Sequence, residues 1–344
     1  MIFRSLPIMK SYWLLFAVLI CSLSACLKKD KALPLLSNAG ALDSVVIGEQ
    51  YQEVIFYDFE TKSVVATAKV DDWDLSFESN DSGTHIFLNG GKTSNGGNGV
   101  WAYNTHQTQF SAVKSVVGIK DADYLFDAPC GLPDSTAFGT WHTGSLQNGN
   151  LQSKNEIYIV KLDPTNYIKC KIKNCALNGY QIECAPLTAD TATVFTITKD
   201  KDKNCVYVNW SNNALRQVTI EPNKNAWDII FTRFRHIYYD LNNFPYIVNA
   251  VLINPYQTLV AADSVTGYQQ IKSYNYPGIQ WVPNRNIIGF DWKSYDIQSG
   301  RYKVNPNKSY LVKTNNGNYF KLHFLDFYNK NGVKGTPTFE FTPL

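Results

Sequence analysis

Methionine is almost missing from this 344-residue chain: its two copies, Met1 and Met9, lie within the first ten residues. Any ligand held by the remainder is held without a thioether. Excess charge of one sign is missing too. The chain has 32 Lys and Arg against 29 Asp and Glu, and without residues 1–25, which carry Arg4 and Lys10, the balance is 30 to 29. A nucleic-acid binder needs a basic footprint, so that class is excluded. The only long apolar run is Tyr12–Leu23, and nothing later is long enough to span a bilayer. Helical periodicity is scarce; the segment Tyr256–Ala262 is the one read as a short helix.

Catalytic motifs fail in turn. Gly91-Lys92-Thr93 looks like the end of a P-loop, but Ile86 stands where the first glycine is required. Asp200-x-Asp202-x-Asn204 begins like a calcium loop, yet Cys205 and Ser211 occupy the positions that need Gly and Glu. There is no Gly-x-Ser-x-Gly elbow and no His-Glu-x-x-His helix. The loop carboxylates Asp121, Asp123 and Asp127 carry no signal that would pair them as acid and base. The chain is not read as an enzyme. Cysteines give no zinc pattern either: Cys130, Cys170, Cys175, Cys184 and Cys205 include no CxxC pair. Cys170 and Cys184 flank a turn near Leu177, where they can face each other as a disulfide or as apolar core thiols.

The first residues read as an address. Arg4 and Lys10 precede the apolar stretch, and Leu23-Ser24-Ala25-Cys26 puts small residues directly before a cysteine. This looks like the lipobox of bacterial lipoproteins. It predicts a signal peptide over 1–25, an acylated (palmitate-type) Cys26 and a polar tether over 26–42.

The rest of the chain repeats itself. Trp73-Asp74-Leu75-Ser76-Phe77 returns as Trp227-Asp228-Ile229-Ile230-Phe231, an offset of 154. Tyr158-Ile159-Val160-Lys161 returns as Tyr310-Leu311-Val312-Lys313, and Ile182–Leu187 as Phe339–Leu344. Each copy opens with a β-pair: Val54–Phe59 with Ser63–Thr67, then Val206–Trp210 with Arg216–Ile220. Each closes with a hairpin turning at Asp163-Pro164-Thr165 or Asn315-Asn316-Gly317. Alternation of β-branched and aromatic residues favours strands. The expected architecture is all-β: two tandem antiparallel modules over 43–190 and 205–344, each with its own core, joined by a charged connector over 191–204. Trp73 and Trp227 are expected in the core, and Asp74 and Asp228 as backbone-bonding carboxylates.

The β-pair, the Trp-Asp strand, the Gly/Asn-rich loop Asn89–Gly99 running into Trp101-Ala102-Tyr103-Asn104-Thr105, the Tyr-x-Val-Lys strand and the Asn-Tyr-x-Lys hairpin together resemble the HmuY-type haem-binding lipoproteins. The resemblance implies two HmuY-like modules on an outer-membrane-anchored protein. It further implies non-catalytic binding of haem or a related tetrapyrrole and delivery to a TonB-dependent receptor. The alternative is the same fold recognising a glycan, peptide or protein partner without haem. In the family, iron is held by two loop histidines or, in other members, by methionine. With no methionine left, the expected ligand is histidine or a less usual group such as tyrosine. His323 lies in the closing hairpin, and His236 is the other histidine of copy two. Copy one has His85, His106 and His142. His106 and His142, both between the Trp-Asp strand and the closing hairpin, are the expected axial pair, with His85 as the alternate.

Overall fold

The computed structural model describes residues 40–93, 99–132 and 135–344. The expected signal peptide, Cys26 and nearly all of the expected tether lie outside the described residues, as do residues 94–98 of the Gly-rich loop. Strands dominate the described residues, joined by turns and three-residue helical turns such as Phe110–Ala112 and Tyr268–Gln270. Among the described residues no helix is long and apolar enough to cross a membrane.

Local chemistry accounts for the strands. Cys205–Ser211 and Ala214–Val218 are joined by Asn212 and Asn213, both in the left-handed region at φ 52° and 58°. That is the two-residue turn whose twist matches a hairpin, and asparagine tolerates it. Tyr256–Ala262 is not helical. Its second half belongs to the strand Leu259–Asp263, which pairs with Ser309–Lys313. Four small apolar residues suit either state, and here the free edge of the closing sheet decides. Two stretches read as linkers also contain strands. Ala41–Ser44, at the end of the tether, pairs with Lys334–Pro343, and Thr193–Thr198, in the connector, pairs with Gly179–Pro186.

The two copies exchange their opening hairpins. Glu53–Asp58 and Ser63–Lys69 belong to copy one, yet Ile55–Tyr57 pair with Ile229–Phe231, the Trp-Asp strand of copy two. Conversely, Cys205–Val208 pair with Leu75–Glu78, the Trp-Asp strand of copy one. Neither 43–190 nor 205–344 therefore owns a complete set of sheets, and the described residues form a single compact unit. The core divides accordingly. One cluster runs from Leu75 to Leu215 without a break in the chain. A second joins Val45, Ile55, Tyr57 and Phe59 to residues of Ile229–Phe341. A third, with Phe56, Val70, Ile220 and Trp227, lies at the seam.

Duplicated contacts hold the exchange. The Asp74 amide donates to the Val208 carbonyl at 2.8 Å while its carboxylate accepts the Trp210 amide at 2.7 Å. The Asp228 amide donates to the Tyr57 carbonyl at 2.9 Å, and its carboxylate accepts the Phe59 amide at 2.9 Å. Trp73 meets Tyr207 edge-on at 5.0 Å, and Trp227 meets Phe56 in the same way at 5.0 Å. Each Trp-Asp pair thus clasps the other copy's hairpin, which accounts for its recurrence without invoking chemistry. Trp227 is fully buried, and Trp73 packs partly buried at the seam.

One buried charge gives this scaffold a pH dependence. Lys293 is 5 % exposed, donates to the Asn249 carbonyl at 3.1 Å and lies over the Trp292 ring at 4.2 Å. Burial pushes its ammonium down from 10.5 to about 7. Between those values the unfolded chain keeps a proton that the folded one releases, so this group makes stability rise with pH from about 7 to 10.5. Lys293→Met is expected to raise the urea midpoint at pH 7 by about 1 kcal/mol equivalent, cation–π contacts having offset part of the burial cost. The advantage is fully present below pH 7 and is lost as pH approaches 10.5, which denaturation at three pH values checks.

Candidate functional site

The three histidines of copy one stand on loops and strand ends around the contiguous core. His106 follows Trp101–Asn104 in the left-handed region at φ 56°, and its side chain is 74 % exposed. Its Nδ1 lies 3.0 Å from Glu156 Oε1, while Asn104 Nδ2 donates to Glu156 Oε2 at 2.9 Å. Burial would raise the Glu156 carboxyl, but the bonds from Asn104 and His106 outweigh it and hold it below its ordinary value. A carboxylate on Nδ1 fixes the tautomer that leaves Nε2 available, the arrangement usual for metal-ligating histidine. His85 repeats the pattern: its Nδ1 is bonded to Glu78 Oε2, and Glu78 is likewise held low against its burial by that bond.

His142 opens the short strand His142–Thr143, its ring edge-on to Trp141 at 4.7 Å. Its Nε2 lies 3.1 Å from Thr84 Oγ1, and its Nδ1 is buried without a hydrogen-bond partner. Burial, with the neighbouring His85 adding to it, lowers its pKa and keeps the imidazole neutral at pH 7. His142 and His85 thus meet around Thr84, whereas His106 is fastened to Glu156. In copy two, His323 stacks on Tyr268 at 3.7 Å with its Nε2 3.1 Å from Glu340, and His236 packs edge-on against Phe290 at 4.7 Å. Sequence reading missed Glu156, Glu78 and Thr84, which orient the rings. A lone carboxylate ahead of a strand carries no pattern by itself.

The seam between the copies encloses a cleft of about 120 Å³, lined by Trp73, Phe87, Arg233, Arg235 and Arg285 among others. Ligand pockets for drug-sized molecules run from about 300 Å³, so as it stands the cleft is too small for a tetrapyrrole, and no histidine lines it. Cys170 and Cys184 face each other across their hairpin with sulfurs 2.9 Å apart, both fully buried. All five cysteines of the described residues, Cys170 and Cys184 included, are free thiols, so of the two expected arrangements of that pair the apolar core thiols hold.

These features define a tandem antiparallel β scaffold whose repeated residues are structural and whose unrepeated loops carry the candidate ligands. The chain belongs to the HmuY family: the family described as HmuY protein matches residues 50–137 and 201–341. No curated protein matches it. Among solved structures it is similar to a candidate HmuY-like heme-binding protein from Bacteroides vulgatus, at 20% identity over 38% of this chain and 79% of that one, with a TM-score of 0.25. It is also similar to a candidate lipoprotein from Bacteroides fragilis, at 15% identity over 40% of this chain and 76% of that one, with a TM-score of 0.23. The apo HmuY analog of Tannerella forsythia matches 89% of this chain and 98% of its own length at 12% identity, with a TM-score of 0.24.

Proposed function

We propose that this chain binds haem or a related tetrapyrrole non-catalytically, as a lipoprotein anchored in the outer membrane through Cys26, for uptake by a TonB-dependent receptor. Membership of the HmuY family is the observation that carries this reading. The donor chemistry of copy one fits the group. His106 is exposed, with Nδ1 occupied by Glu156 and Nε2 left for a metal. His142 is the proposed second ligand, since its neutral imidazole needs only to leave Thr84. His85, beside it on Glu78, is the alternate. When bound, haem would be held through its iron by the neutral imidazoles of these histidines.

The reading is tested by titrating haemin into the full chain and recording the Soret band. A shifted, sharpened band with one-to-one stoichiometry is expected, and a spectrum identical to free haemin defeats the proposal. His106→Ala is expected to weaken binding at least tenfold, about 1.4 kcal/mol. Comparison of His142→Ala with His85→Ala then assigns the second ligand. If all three variants keep the parental spectrum, the ligands lie elsewhere while haem binding itself stands.

A further inference from the structure

We propose that Asp58, Glu60 and Asp228 form a binding site for a hard divalent cation, with calcium as its occupant. The three carboxylates converge at the root of an exchanged hairpin, and one oxygen from each lies within 4.8 Å of the others. Asp228 is 0 % exposed and Asp58 only 8 %. Most of their oxygens are accounted for. Asp58 Oδ1 accepts the Glu60 amide at 3.0 Å, and Oδ2 accepts the Thr61 hydroxyl at 3.0 Å. Glu60 Oε1 accepts Thr314 Oγ1 at 2.6 Å and Asn318 Nδ2 at 2.9 Å, and Asp228 Oδ2 accepts the Phe59 amide at 2.9 Å. Two oxygens remain, Asp228 Oδ1 and Glu60 Oε2, both buried and without a hydrogen-bond partner. Among the described residues no lysine, arginine or histidine forms an ion pair with any of the three. A buried carboxylate oxygen facing other carboxylates with no positive group between them costs several kcal/mol, a cost that a bound cation or a shared proton relieves.

The other half of the molecule shows how that charge can be supplied. There Asp74, the counterpart of Asp228, is paired with the Lys92 ammonium. The offset of 151 that relates Tyr57 to Val208 and Phe59 to Trp210 puts Asn209 and Ser211 where Asp58 and Glu60 stand. The asparagine that caps each Trp-Asp turn, Asn89 or Asn254, donates to the Trp73 or Trp227 carbonyl. Three residues beyond it lies Lys92 in one half and Gln257 in the other. One half thus has a single carboxylate with a lysine, and the other has three carboxylates without one. An exogenous cation would take the place of the Lys92 ammonium. An all-oxygen set of carboxylates selects a hard ion. Carboxylates already fastened to amides and hydroxyls cannot rearrange into the strict octahedron magnesium demands, whereas calcium accepts irregular shells of 6–8 oxygens.

The experiment compares thermal melts of the full chain in EDTA, in millimolar calcium and in millimolar magnesium. Terbium luminescence excited through tryptophan is read alongside, Trp227 being the chain neighbour of Asp228. Calcium is expected to raise the melting temperature by about 5 °C over EDTA, and terbium to emit and be displaced by calcium. Asp228→Asn and the near-isosteric Glu60→Gln are each expected to lose both responses. Glu60→Gln serves as the informative variant if the buried Asp228 change prevents folding. Equal melting temperatures in EDTA and calcium, with no sensitised emission, overturn the site and leave the cluster held by shared protons. An equal rise with magnesium overturns calcium as the occupant. Responses retained in Glu60→Gln place the ion elsewhere and overturn the assignment.

Discussion

Cut out at residues 70–221, the chain is expected to fold and melt cooperatively, whereas the segment 43–190 is expected to remain largely unfolded. The first segment keeps the whole cluster from Leu75 to Leu215, the closing sheet of copy one and the hairpin Cys205–Val218 that pairs with Leu75–Glu78. The second segment keeps Glu53–Lys69 but removes its partner Ile229–Phe231, and strips Ile197, Val206, Val208 and Leu215 from the core. Burying one large aliphatic or aromatic side chain contributes about 1.5–3 kcal/mol. Losing four such residues, with Ile55, Phe56 and Tyr57 newly exposed, therefore matches the 5–15 kcal/mol that typically holds a domain together. Urea denaturation followed by tryptophan fluorescence, with amide dispersion by NMR, distinguishes the outcomes. A cooperative transition in 43–190 would mean that each hairpin can fold back onto its own copy's Trp-Asp strand, making the exchange one of two accessible pairings.

That exchange marks where sequence reading stops. Strands were legible because alternation and turn chemistry are local: Asn212-Asn213 and Asn315-Asn316-Gly317 announce hairpins wherever those hairpins go. Pairing partners were not legible, because two copies of one pattern offer the same edge to either hairpin, and only the complete set of contacts chooses. The repeated Trp-Asp pair was correctly read as structural, and the structure supplies the reason, a carboxylate bonded to the amide of Phe59 or Trp210. The loops are the converse case. His85, His106 and His142 could be named because histidine is rare here, but their orienting groups come from distant positions: Glu156 lies 50 residues after His106, and Thr84 lies 58 before His142. Asp58, Glu60 and Asp228 escape notice for the same reason, being 169 residues apart along the chain where Phe59 meets Asp228.

Lys169→Met is expected to destabilise the protein by about 3 kcal/mol, and Lys321→Met by about 2 kcal/mol. Both lysines end the repeated Asn-Tyr-x-Lys hairpin and turn into the interior, 0 % and 6 % exposed. The Lys169 ammonium donates to the carbonyls of Phe110 and Val113, each at 2.6 Å, and Lys321 to those of Tyr268 and Ile271, each at 3.0 Å. In both copies one ammonium therefore bridges two carbonyls three residues apart in the helical turn that crosses the closing sheet. Burial, with Lys114 or Lys272 adding to it, lowers both ammonium groups below their ordinary value. Removing a charge relieves that cost, but two buried carbonyls then lose their donor at about 1–3 kcal/mol each, which outweighs the relief. Methionine preserves the stem, so the loss is one of hydrogen bonding and not of packing. Lys169 and Lys321 bind separate turns, so their effects should add within about 0.5 kcal/mol in the double variant. Urea midpoints measure all three. A neutral Lys169→Met would mean that desolvation of the ammonium cancels its bonds, and the recurrence of this lysine in both copies would then have no explanation in stability.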